Sequence, residues 1–111
     1  MTLKHFFNNV RIRLGHYDWS IRFVYGSDEG YCWKNRKIID IGLNASNPKQ
    51  LILHEIAHID TCRFCNQKHN PAFWKNFRDL MRRFLFNEEI CSSELNHMQY
   101  MSKGYYKVCY D

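Results

Sequence analysis

Asn47-Pro48-Lys49-Gln50-Leu51-Ile52-Leu53-His54-Glu55-Ile56-Ala57-His58-Ile59-Asp60 is the stretch on which the reading of this chain turns. Asn47 is a good helix cap, Pro48 suits the first helical position, and Gln50 stands at the capping-box position. The helix that starts there is apolar on nearly every side, so it is expected to be the central buried helix. Inside it stands HExxH. Residues four apart lie one above the other on a helix, so His54 and His58 present two imidazoles to one point, as two zinc ligands require. Glu55 is one residue round from His54 and can take the proton of a water on such a metal. Burying two histidines and a carboxylate without partners is costly, a second reason to read the three as a site.

Upstream, Leu3, Phe6, Phe7, Val10 and Leu14 recur at spacings of three and four, which predicts an amphipathic helix over 2–14 with Gly15 as its stop. Trp19, Ile21, Phe23 and Tyr25 alternate as in a strand, and residues 26–30 form a turn cluster. Residues 31–34 and 36–43 read as two more strands joined near Lys34-Asn35. Downstream, Asn70-Pro71 repeats the helix-start signal, and Phe73, Trp74, Phe77, Leu80, Met81, Phe84 and Leu85 follow helical spacing. Asn87 is expected to cap a last helix, with Glu88 and Glu89 in its first turn and Ile90, Leu95, Met98 and Met101 as its stripe, ending at Lys103-Gly104. The tail 105–111 reads as a short strand or a docked extension. This order predicts one α+β domain over residues 1–111, with a small, mainly antiparallel sheet backed by helices.

The chain has 111 residues, 45% hydrophobic and 16% aromatic, with no repeat, low-complexity tract or Pro/Gly linker. That length suits one domain, and dense aromatics let a short chain build a core from few residues. No apolar run approaches the roughly 18–20 residues that span a bilayer, and residues 1–13 lack the apolar middle of a signal peptide. A cytoplasmic chain with no membrane partner is expected. Five cysteines, an odd number, then read as reduced thiols rather than a disulfide framework.

The net charge of +5 is uneven. Residues 61–83 hold Arg63, Lys68, Lys75, Arg78, Arg82 and Arg83 against Asp79 alone, a local +5. Such a run is either a solvated helix face or a contact for DNA or another polyanion.

A catalytic zinc site needs a third protein ligand. His69 is the first candidate, eleven residues after His58 and directly before a helix start. Glu88, Glu89, Glu94 and His97 compete with it from the later helix. His5 and His16 have no motif around them and read as surface residues. Cys62 and Cys65 form a CxxC in the loop before His69; with His69 this reads Cys-x2-Cys-x3-His, to which Cys91 or Cys109 could add the fourth ligand of a structural zinc, though a pair of small thiols is the simpler reading.

The run His54-Glu55-Ile56-Ala57-His58, a loop, then His69-Asn70-Pro71-Ala72-Phe73-Trp74 resembles the SprT-like family and its WLM relatives. Their pattern is HExxH, a variable loop, and a His often followed by Gly-Pro-x-Phe or a Phe/Trp pair. His69 matches the third ligand, and Asn70 replaces the commoner Gly. The resemblance covers about residues 37–78. It implies a minimal zincin-like metallopeptidase domain with Zn2+ on His54, His58 and His69, and a protein or peptide substrate. It also implies that the strand before the HExxH helix rims the cleft, so that a substrate pairs with Ile38, Ile39, Asp40 and Ile41 by strand addition. A Tyr or His often steadies the oxyanion in such sites; Tyr100, Tyr105 and Tyr106 are the tyrosine choices here. Several family members act on proteins crosslinked to DNA, which gives the basic segment 61–83 a role to test.

Peptide-bond hydrolysis with Glu55 as general base is thus the leading expectation. A gluzincin-like, repressor-cleaving peptidase with a Glu from residues 88–94 as third ligand is the second. A nucleic-acid-binding domain with structural zinc on Cys62 and Cys65 is the third.

Overall fold

Leu3–Arg13 forms α1 in the structure, a computed structural model that describes residues 2–61 and 69–101, without the side chains of residues 97 and 99–101. Thr2 Oγ1 accepts the His5 N–H at 3.1 Å, which satisfies one of the donors a helix start leaves over. Gly15 ends the helix at φ +83°, a conformation that glycine adopts without steric cost. Phe6, Phe7 and Val10 are buried, as the spacing predicts.

The sheet has three strands, β1 (Ser20–Val24), β2 (Gly30–Trp33) and β3 (Ile38–Gly42), in the order β1-β3-β2. β2 and β3 form an antiparallel hairpin, Tyr31 opposite Asp40 and Trp33 opposite Ile38. Lys37 closes the turn at φ +54° and pairs with Asp18. β1 runs parallel to β3, Ser20 opposite Ile38 and Val24 opposite Gly42. The sheet is therefore mixed, with one parallel and one antiparallel pair, where the sequence suggested a mainly antiparallel one. The cause lies in the link after β1. Its carbonyls accept from the end of β3, Glu29 O from Gly42 N at 2.8 Å and Ser27 O from Asn44 N at 2.8 Å. The link thus crosses the end of β3 and delivers β2 to the far side.

Pro48–Thr61 forms α2, with Asn47 Oδ1 accepting the Gln50 N–H at 3.2 Å. Residues 52–58 are all buried, so this is the buried helix that the composition foretold. Pro71–Phe84 forms α3, capped by Asn70, whose Oδ1 accepts the Phe73 N–H at 2.8 Å. Its apolar stripe of Phe73, Trp74, Phe77, Leu80 and Met81 is buried, and Lys75, Arg78, Arg82 and Arg83 are exposed. Ser92–Met101 forms α4. It begins later than the expected start at Asn87. Glu88 N bonds back to Leu85 O at 2.9 Å and closes a turn, and the helical pattern starts only with Leu95 N to Cys91 O at 3.0 Å. Glu88 and Glu89 therefore precede the helix and are exposed.

The α+β class, with an N-terminal helix, a small sheet and several helices, is as expected. The chain packs as two units, Met1–Ile56 and Ala57–Asp111, with the border inside α2. The first contains α1, the sheet and the start of α2; the second contains the end of α2, α3 and α4. Ile39, Ile41, Ile52, Leu53 and Ile56 lie in the core of the first, and Phe73, Phe77, Leu80 and Met81 in that of the second. No helix among the described residues is long and apolar enough to cross a membrane.

Candidate metal centre

α2 carries His54, Glu55 and His58 on continuous helix, and all three are buried: 5% exposed at His54, 2% at Glu55 and none at His58. The four-residue spacing stacks the two imidazoles along one helix face. His69 is half-buried and stands two residues before α3. His54, His58 and His69 each offer one ligand atom, and these atoms lie within 4.8 Å of one another. Among the described residues this is the one cluster of histidine, cysteine or carboxylate side chains close enough to hold a metal ion.

The donor set decides what such an ion can be. Three imidazole nitrogens, with no oxygen donor among them, suit a borderline metal such as zinc better than calcium or magnesium. Three protein ligands also leave a fourth position for water or substrate, the arrangement of catalytic sites.

The aromatic residues after His69 hold two of these ligands. Phe73 lies against His58 with ring centroids 4.3 Å apart, and edge-on to His69 at 4.9 Å. Trp74 lies 5.6 Å from His69, and the two imidazoles are 5.0 Å apart. Phe73 and Trp74 also pack on each other and on Phe77. The Phe-Trp pair is thus a wall that fixes the imidazole planes, a role the sequence did not reveal. Asn70 reinforces it, because its cap sets the first turn of α3 directly after His69.

The Glu55 carboxylate lies beside His54, the first of these histidines. Its Oε2 is 3.9 Å from His54 Nε2. The same oxygen approaches β2 so closely that a Cβ on Gly30 would meet it at 2.7 Å. Cys32, two residues on and buried, feels this neighbourhood: burial, and then the Glu55 charge, push its thiol up to about 12. It stays a protonated thiol near neutral pH.

The strand assignment of the substrate rim needs correction. β3 is the central strand, so Ile38, Ile39, Asp40 and Ile41 pair with β1 on one side and β2 on the other and present no open edge. Ile39 and Ile41 are fully buried. Asp40 accepts from Arg22 at 2.7 and 3.0 Å and from Trp33 Nε1 at 2.8 Å, and the Arg22 hydrogen bonds hold its carboxyl below the usual range. The edge strand nearest Glu55 is β2. Gly42 N bonds to Glu29 O, which sets the phase of the β2–β3 ladder. Tyr31 and Trp33 then bond to β3, and Gly30 and Cys32 turn their backbone N–H and C=O to the outer edge. No other described strand pairs there.

Among the described side chains, the competing carboxylates do not join the cluster. Glu88 and Glu89 are exposed before α4, and Glu94, though buried, is not part of it. Cys91 is half-buried with its Sγ 3.3 Å from Ser93 Oγ. His5 is exposed and His16 half-buried, neither near the cluster's ligand set. Cys62, Cys65, Cys109, Tyr105, Tyr106, Arg63 and Lys68 lie outside the described residues, as do the side chains of His97 and Tyr100.

No protein-family model, curated protein or solved structure matches this chain. The functional reading therefore stands on the geometry of the site and on the motif residues themselves.

Proposed function

We propose that this chain is a zinc-dependent metallopeptidase of the HExxH type, working in the cytoplasm on protein or peptide substrates. The observation that carries the reading is the buried His54/His58/His69 cluster with the Glu55 carboxylate beside it. Zinc bound there would supply Lewis-acid chemistry toward the scissile carbonyl and water. His54, His58 and His69 would hold it. Glu55 takes the proton of the attacking water and returns it to the departing amine. Its burial beside β2 keeps the carboxylate out of bulk water and aimed at one place.

The outer edge of β2 is the surface that supports peptide binding in this reading. The backbone groups of Gly30 and Cys32 face it, and an extended peptide can add there as a further strand. A peptide added there would run close to Glu55, because Gly30 is the residue against which Glu55 lies. Side-chain selectivity is not encoded by backbone pairing, so the edge favours extended or unfolded segments over a particular sequence.

The decisive experiment compares wild type with Glu55→Gln on an unfolded protein substrate. Glu55→Gln keeps its zinc and loses about 10²–10⁴-fold in kcat, the usual weight of a general base. Equal cleavage by the two proteins overturns the mechanism. A DNA contact is a further element of the proposal. Lys75, Arg78 and Arg82 share one exposed helix face, with Arg83 beside it. Binding through them weakens steeply with salt, and charge-neutral substitution of all four removes it.

A further inference from the structure

We propose that Gly30 is a positioning residue for Glu55: the side chain missing at the start of β2 is the space that seats the Glu55 carboxylate. A Cβ at Gly30 would come to 2.7 Å from Glu55 Oε2, 3.0 Å from its Cγ and 3.1 Å from its Cδ. The conflict reaches the stem of the side chain as well as its tip, so rotating the carboxyl group alone does not relieve it. Glu55 is only 2% exposed, which leaves it little room to swing aside.

Backbone conformation does not account for glycine here. Among the described residues the glycines with positive φ are Gly15 and Gly26; Gly30 has ordinary strand geometry that any residue adopts. Glycine is a poor strand former, and in a strand it marks a bulge or a close approach of another group. β2 and β3 stay in unbroken register from Gly30 opposite Ile41 to Trp33 opposite Ile38, so no bulge is present. The close approach of Glu55 remains.

The consequence for the site is a fixed position of the carboxylate between two neighbours. On one side it meets the β2 backbone at Gly30, and on the other His54 Nε2 lies 3.9 Å from Oε2. A methyl group at residue 30 displaces the carboxylate from that position. Residue 30 is not among the three histidines that would hold a metal, so the displacement acts on proton transfer and not on metal binding. This consequence for catalysis rests on the peptidase reading; the seating of Glu55 by Gly30 does not.

The test is a double-mutant cycle of Gly30→Ala and Glu55→Ala on the full chain, read by urea unfolding, with zinc per chain and steady-state kinetics for Gly30→Ala. Gly30→Ala lowers the unfolding midpoint when Glu55 is present, and the loss disappears in the Glu55→Ala background. A Gly30→Ala chain that folds only when Glu55 is also cut to Ala gives the same answer. Gly30→Ala keeps its zinc, and its kcat falls on the order of 10²-fold, the cost of misplacing a catalytic group by about 1 Å, with KM within about threefold. An equal loss of stability in both backgrounds overturns the seating role, and an unchanged kcat overturns the catalytic one. Absence of cleavage by wild type overturns the peptidase reading alone; the stability cycle then still decides whether Gly30 seats Glu55.

Discussion

Phe73 lies against His58 with ring centroids 4.3 Å apart and the planes tilted by 31°, both side chains fully buried. The ring is at once core and orienting surface, so shape and bulk there have separable effects. Phe73→Leu keeps most of the apolar volume but removes the flat face, and costs about 1–2 kcal/mol of stability. Phe73→Ala leaves a cavity and costs about 3–5 kcal/mol. The Leu variant is the informative one. It is expected to stay folded and to bind zinc more weakly, measured by competition with a chromophoric chelator. Unchanged affinity in a folded Phe73→Leu protein refutes the orienting role.

Asn70 ties the third histidine to α3. Its Oδ1 accepts the Phe73 N–H at 2.8 Å, and its backbone C=O accepts from Trp74 N at 3.2 Å. Asn70→Ala removes the first and costs about 1 kcal/mol, within the range for such caps. Asn70→Asp retains the acceptor and also places a carboxylate at the positive end of the helix. Urea denaturation of the two variants beside wild type gives the ranking. A stability of Asn70→Ala equal to that of Asn70→Asp contradicts the cap.

Much of this arrangement was legible in the residues. The starts of α2 and α3 follow from Asn47-Pro48 and Asn70-Pro71, whose capping oxygens are where local chemistry puts them. The His54–His58 stack follows from helical spacing alone. The sheet order did not follow, because strand partners are set by long-range pairing that a local alternation pattern does not encode. The sequence shows β3 as the strand before the HExxH helix; only the crossing link, with Glu29 O and Ser27 O taken by the end of β3, makes it central. For the same reason Gly30 read as the end of a turn cluster. Its meaning lies in a residue twenty-five positions away, and no local signal carries that.

Acid sensitivity is expected at Asp40. The hydrogen bonds from Arg22, and then that from Trp33, lower its pKa against the opposing effect of burial. A carboxylate whose folded pKa is depressed contributes stability that is present above its unfolded value, near 3.9, and is lost as pH falls through the folded one. Asp40→Asn therefore costs about 1 kcal/mol at pH 7, modest because the Arg22 side chain is half exposed. The difference between wild type and variant shrinks below about pH 4. Urea midpoints at pH 7, 5 and 3 read it directly. A difference that stays constant across this range rules out the charged pair as its source.

Zinc itself should act as a folding ligand. The three imidazoles converge only in the native chain, so an ion that binds them stabilises the folded state by mass action. At free zinc one hundred times the dissociation constant the gain is about 2.7 kcal/mol, and a strong chelator abolishes it. His69→Ala takes away one of three donors and is expected to lose most of this gain, while its stability in chelator stays close to that of the chelated wild type, because His69 is only half-buried. Glu55→Gln, which removes no ligand, is expected to keep the gain. Unfolding of the three proteins with zinc and with chelator separates the ligand from the base. A zinc-dependent gain that survives His69→Ala intact would move the third ligand elsewhere in the chain.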